Sequence, residues 1–188
     1  MRLSRLSEED LTPDQRAVLD AIQSGPRKSK HGTIGLIGPF GVWVRAPRVG
    51  QAIQALGAAA RFDSRLPENV KEVAICTVGA FYRAKFEFAA HRALAISAGV
   101  DAGEIEKLRV GELPTFTGAE DLAYRVATSL VNLHRLDANT YAGALGQFGE
   151  EGLIELVTII GYYCMIALTL NAFEVPLTSG MEDPFPDT

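Results

Sequence analysis

The sequence predicts an all-α fold of about eight helices. Cap and stop residues recur at helix-length intervals along the chain. Alternating Val/Ile/Thr runs bounded by hairpin signals, the mark of strands, are absent. A third observation is Leu156–Phe173, 18 residues without a charge, which reads as a helix buried on all sides.

The elements follow in order. Thr12-Pro13-Asp14-Gln15 supplies a cap, a proline at the first helical position and a Gln closing a capping box, and that helix stops at Gly25-Pro26. Residues 25–45 read as a loop, with Gly32, Gly35, Gly38 and Gly41 at intervals of three beside Pro39, Phe40 and Trp43. Its roles are a packing segment or a lid; without a preceding strand or a Gly-Lys-Ser/Thr end, it fits neither nucleotide-binding pattern. Pro47 opens a second helix to about Phe62, with Ala58-Ala59-Ala60 as a small packing face. Pro67 opens a third to about Phe81, and a fourth runs from about Ala84 to Ala98, stopped by Gly99. Asp101 with Glu104 caps a fifth, ending at Gly111, and Thr117 with Glu120 caps a sixth, to about His134. Ala138–Phe148 and Glu151–Asn171 complete the set.

A chain of 188 residues with 47% apolar and 22% charged residues can bury a sizeable core, which excludes disorder and collagen-like repeats. Two cysteines, Cys76 and Cys164, are too few for a disulfide framework; both read as inert buried thiols in a reducing cytoplasm. The start, Met1 to Asp10, has no apolar run of a signal peptide. Net charge is −5, so no affinity for nucleic acid is expected. The last basic residue is Arg135, and residues 136–188 carry eight acids, hence −8. We therefore divide the chain into a single helical domain, 1–177, and an acidic tail, 178–188. The tail is either solvated or an arm laid over a neighbouring subunit, with Phe185 between prolines as its anchor. Leu156–Phe173 touches the lower length of a membrane span, but no Lys or Arg follows it, so no membrane is expected.

Chemistry is sought among polar residues set in apolar helices. Glu72, Cys76, Gly79 and Arg83 follow one another at helical spacing, and Glu87 and His91, four apart, share a face. An antiparallel pair of helices would converge them on one pocket. A Glu–His pair under apolar cover is an acid/base device: burial raises a carboxyl pKa, and a carboxylate orients an imidazole. The plainer reading is a surface pair at Glu87 and His91, with Glu72 beside Lys71 and Arg83 beside Lys85 as solvated rims. One Glu-x-x-x-His pair matches neither HExxH nor a di-iron carboxylate set, so no metal is expected. His31 and His134 read as surface residues.

These residues resemble a known family. Lys71-Glu72-Val73-Ala74-Ile75 through Phe86-Glu87-Phe88-Ala89-Ala90-His91 to Ala98-Gly99-Val100 resembles the carboxymuconolactone decarboxylases and their alkylhydroperoxidase D-like relatives. The likeness rests on a helical Glu and a His nineteen residues later, and on a Phe-Glu-Phe-x-x-His run similar to an aromatic-Glu-Trp-x-x-His signature. Gly161-Tyr162-Tyr163 to Asn171-Ala172-Phe173 resembles the C-terminal helix, so about residues 5–177 take part. The family implies an alkylhydroperoxidase D-like helical bundle and a homo-oligomer, commonly a trimer or hexamer. Peroxidase members carry Cys-x-x-Cys where this chain has Ala84 and Glu87, so thiol peroxidase chemistry is not expected.

The resemblance implies a cofactor-independent lyase acting on a small carboxylated lactone or dienoate from aromatic-compound degradation. His91 would carry the proton, Glu72 and Glu87 would set its charge state, and Arg83 and Tyr82 would hold the substrate. A non-catalytic oligomeric module that binds a small acid is the alternative, and a divergent thiol redox protein a third.

Overall fold

The computed structural model describes residues 1–27 and 35–186. His31 and Gly32, with their part of the glycine-rich stretch, lie outside the described residues. The all-α expectation holds: the described residues form eight α-helices and no strand. They divide into two compact units, Met1–Ser64 with Thr169–Ser179, and Arg65–Leu168 with Gly180–Thr188.

In the first unit, a 3-10 turn (Glu8–Asp10) precedes α1 (Pro13–Ser24). The capping box forms as read: Thr12 Oγ1 accepts from the Gln15 amide and the Gln15 side chain accepts from the Thr12 amide. Val18, Leu19 and Ile22 recur at helical spacing and meet Val44, with Leu6, Leu11, Leu36 and Phe40 around them. The expected loop contains one helical turn, α2 (Phe40–Trp43), with the Phe40 and Trp43 rings edge to face at 5.8 Å. No capping side chain marks that turn, so only packing reveals it. α3 (Pro47–Ala58) starts at its proline and loosens into a π turn, Ala59–Asp63. Its buried face is Gly50, Gln54 and Gly57, not the alanine triplet, in which Ala59 is exposed. Arg2 ties the start of the chain to the end of the last helix, donating from its amide to the Phe173 carbonyl at 2.9 Å.

The second unit is built around α4 (Glu68–Phe81), in which every residue from Val70 to Gly79 is buried. Such a helix must be covered on all sides, and α5 (Lys85–Ser97), α6 (Ala102–Val110) and α7 (Gly118–Leu133) pack on it. Asp101 caps α6 as read, accepting from the amides of Gly103 and Glu104. At α7 the expected capping box is absent. Thr117 makes no side-chain cap, and the Glu120 carboxylate accepts from the Asn69 amide group at 2.7 Å.

The last two predicted helices meet in one long element, α8 (Ala138–Ala172), broken at Gly149. There φ is 70°, a left-handed conformation that a glycine adopts at little cost. By length and composition alone α8 could cross a membrane, but half of its most apolar window is buried within the protein. Leu153, Leu156, Ile159, Ile160, Tyr162, Tyr163, Ile166 and Ala167 face inward, while Ile154, Val157 and Leu168 are exposed. The helix is therefore not buried all round.

The C-terminal segment is anchored on its own chain through Pro184 and Phe185, while Glu182, Asp183 and Pro186 remain exposed. Phe185 is 1% exposed and its ring lies 5.2 Å from that of Phe88. Lys85 pairs with Asp183 at 2.7 Å, and Arg109 donates to the Pro184 carbonyl at 2.9 Å. Phe185 is thus an anchor, as its place between prolines suggested, and the surface that it meets is on its own chain.

Candidate active site

The expected convergence of α4 and α5 occurs. Their connection is only three residues, Tyr82-Arg83-Ala84, with Arg83 held at a positive φ of 49°. The chain thereby folds back so that Glu72 meets His91. His91 Nδ1 lies 2.7 Å from Glu72 Oε2, with the two side chains 13% and 1% exposed. The imidazole is fixed in a second direction by α8, where the Tyr163 ring stands edge to face at 4.9 Å. Tyr162 in turn stands edge to face with Tyr163 at 5.4 Å. One hydrogen bond and one aromatic edge thus hold the ring from two sides.

Glu87 lies one helical turn before His91, but does not bond to it. It is 2% exposed, and neither carboxyl oxygen has a hydrogen-bond partner among the described residues. Burial pushes its pKa well above the ordinary carboxyl value. Of the two acids, Glu72 therefore supplies the carboxyl contact to His91. Opposite Glu87 stands Gly79, where a methyl group would lie 3.3 Å from Oε1.

Of the two expected substrate contacts, Tyr82 is half-buried and its hydroxyl donates to the sulfur of Cys164. Arg83 is exposed, with its guanidinium over the Phe185 ring at 4.9 Å. It joins the C-terminal segment and is not gathered to the His91–Glu72 pair. The solvated-rim reading fails for Lys71 and Glu72, both buried, with Lys71 paired to Glu68 at 2.8 Å.

Cys76 is buried as read, whereas Cys164 is half-buried. Burial raises the Cys164 thiol pKa; the Tyr82 hydrogen bond opposes this, and the Glu87 carboxyl adds to it. Tyr163 and Cys164 are the site residues that sequence reasoning missed. The one available signal was a Tyr-Tyr-Cys run inside an otherwise aliphatic helix. No group of three or more His, Cys, Asp or Glu side chains suited to a metal occurs among the described residues. An apolar cavity of about 300 Å³ in the first unit, lined by Leu3, Val42, Trp43, Val49, Ile53 and Phe173 among others, contains none of these acid/base groups.

The site is thus a His91–Glu72 pair between two packed helices of a helical bundle, with Tyr163 of α8 against the imidazole. Residues 47–129 match the model of the carboxymuconolactone decarboxylase family, so the resemblance read from the sequence is borne out over that span. No curated protein sequence matches the chain. Among solved structures, it is similar to the apo form of the debrominase Bmp8, at 14% identity over 93% of this chain and 90% of that one, with a TM-score of 0.66. It is likewise similar to a cysteine-to-alanine variant of Bmp8 in complex with 2,3,4-tribromopyrrole, at 16% identity over 95% and 92%, with a TM-score of 0.67. At these identities the likeness carries the fold.

Proposed function

We propose that the protein is a cofactor-independent lyase that decarboxylates a small carboxylated lactone or dienoate, with His91 as the proton carrier. The observation that supports this reading is the 2.7 Å contact between His91 Nδ1 and Glu72 Oε2 under apolar cover. In such a reaction the bond to the carboxylate carbon breaks and carbon dioxide leaves. The electron pair passes into the conjugated carbonyl as a dienolate, and a positioned acid then protonates the carbon. Glu72 holds the imidazole through Nδ1, which leaves Nε2 to exchange the proton. Tyr82, in the α4–α5 connection, is assigned to the substrate, whereas Arg83 is engaged by the C-terminal segment; the pathway is assigned to aromatic-compound degradation in the cytoplasm.

Thiol chemistry is disfavoured, because Cys76 is buried and the Cys164 thiol is pushed toward its protonated form. The protein is proposed to act as a homo-oligomer, a trimer or hexamer. A screen of the purified protein against carboxylated lactones and muconates, followed by carbon dioxide release, tests the reading. Turnover that disappears in His91→Ala is expected. No turnover across the panel, or full activity in that variant, refutes it.

A further inference from the structure

Glu87 presents an imbalance that the His91–Glu72 pair does not use. Buried polar groups in folded proteins nearly always have partners, and a buried carboxyl lacking them destabilises the fold. Here both oxygens lack one among the described residues, at 2% exposure. The surroundings maintain this arrangement. On one side Gly79 leaves the space that any side chain would fill, since its Cβ would lie 3.3 Å from Oε1 and 3.4 Å from the Phe88 Cβ. Three residues beyond Gly79, on the same side of the chain, comes Tyr82, which is half-buried, as is Cys164, to whose sulfur its hydroxyl is bonded. The cover over Glu87 thus leads, by way of Gly79, to residues that themselves reach the surface.

We propose that Glu87 is a ligand-binding acid, whose carboxyl O–H donates to a carbonyl oxygen of a small ligand admitted beside Cys164 and Tyr82. In its neutral form, the state that burial favours, a carboxyl group offers one donor and one acceptor. The donor meets a lactone carbonyl, donor and acceptor together meet a carboxylic acid, and the apolar ring of Phe88 offers neither. The choice of a lactone rests on the acid/base reading above. The hydrogen bond itself does not.

The test uses the full-length protein and γ-butyrolactone, a small lactone, as probe. Infrared difference spectra should contain a protonated carboxyl band that shifts as the lactone is added and is missing in Glu87→Gln. Ligand-observed NMR should find binding about tenfold weaker in Glu87→Met, the loss of one net hydrogen bond. The same variant should melt at or above the native temperature, because it removes a buried polar group with no partner in the fold. A carboxyl needed only for structure would instead lower the melting temperature on replacement. An unmoved or absent band, or equal lactone affinity in native protein and both variants, overturns the proposal. His91→Ala should leave the band and its shift intact, so the lyase reading can fail while this one stands. A lactone that turns over without moving the band sinks this one alone.

Discussion

At the scale of single residues, the pair to test first is His91 and Glu72. Glu72→Gln preserves size but replaces the carboxyl by an amide, and kcat on an identified substrate should fall about 10²-fold or more. His91→Ala should abolish turnover with unchanged helix content by circular dichroism, since alanine suits a mid-helix position. Glu87 makes a different prediction, through stability. Its pKa is raised in the folded state, while in the unfolded chain it titrates near 4.5. Above that value the unfolded state releases a proton that the folded state retains, so stability is full below it and declines as pH rises toward the folded pKa. Glu87→Gln should flatten that decline, measured as melting temperature from about pH 5 to pH 8. An unchanged slope would show that Glu87 is not the group responsible. The His91–Glu72 contact was legible because both residues lie on adjacent helices joined by a short turn. The parts from α8 were not, because no local pattern tells which residue of a distant helix will stand against His91.

Among the elements, the break in α8 and the docked C-terminal segment carry the clearest expectations. Gly149→Ala places a Cβ on a left-handed backbone, with no crowding around it, and should cost about 1–2 kcal/mol in urea denaturation. Phe185→Ala removes the ring that joins the end of the chain to Phe88 and Arg83. Its cost, read the same way, is limited by the free energy of undocking that segment, about 1–3 kcal/mol. Helix starts were legible wherever the signal was local, as at Thr12 and Asp101. They misled at Thr117, where the expected capping box is absent and Glu120 meets Asn69 across the fold. In the C-terminal segment Phe185 between prolines was legible as an anchor, but a count of acids does not reveal its partners Lys85 and Arg109.

For the molecule as a whole, the outer side of α8 is the feature to explain. Ile154, Val157, Gly161 and Leu168 are exposed at three-, four- and seven-residue steps, which places them along one stripe. A single soluble copy would present this apolar surface to water, whereas closed symmetry buries like against like. Leu168→Asp and Ile154→Asp should therefore shift sedimentation toward monomer while the fold persists, because both side chains are already outside the core. Ile166 would be a poor choice for this purpose; it is 6% exposed, and a charge there attacks the fold itself. A native protein that sediments as a stable monomer at micromolar concentration would refute the assembly.

The close approach of Gly79 to Glu87 has a consequence for descent as well as for binding. A relative with alanine or serine at the position of Gly79 would press on the side chain at the position of Glu87, which would have to give by a few tenths of an ångström from a 3.3 Å approach. The two sites should therefore tend to change together as sequences diverge, with glycine favoured where the acid is kept and larger residues more readily admitted where it is lost. Lineages that have exchanged the acid for a small residue would then be free to fill position 79, and the pair would record which of them still keep the buried carboxyl.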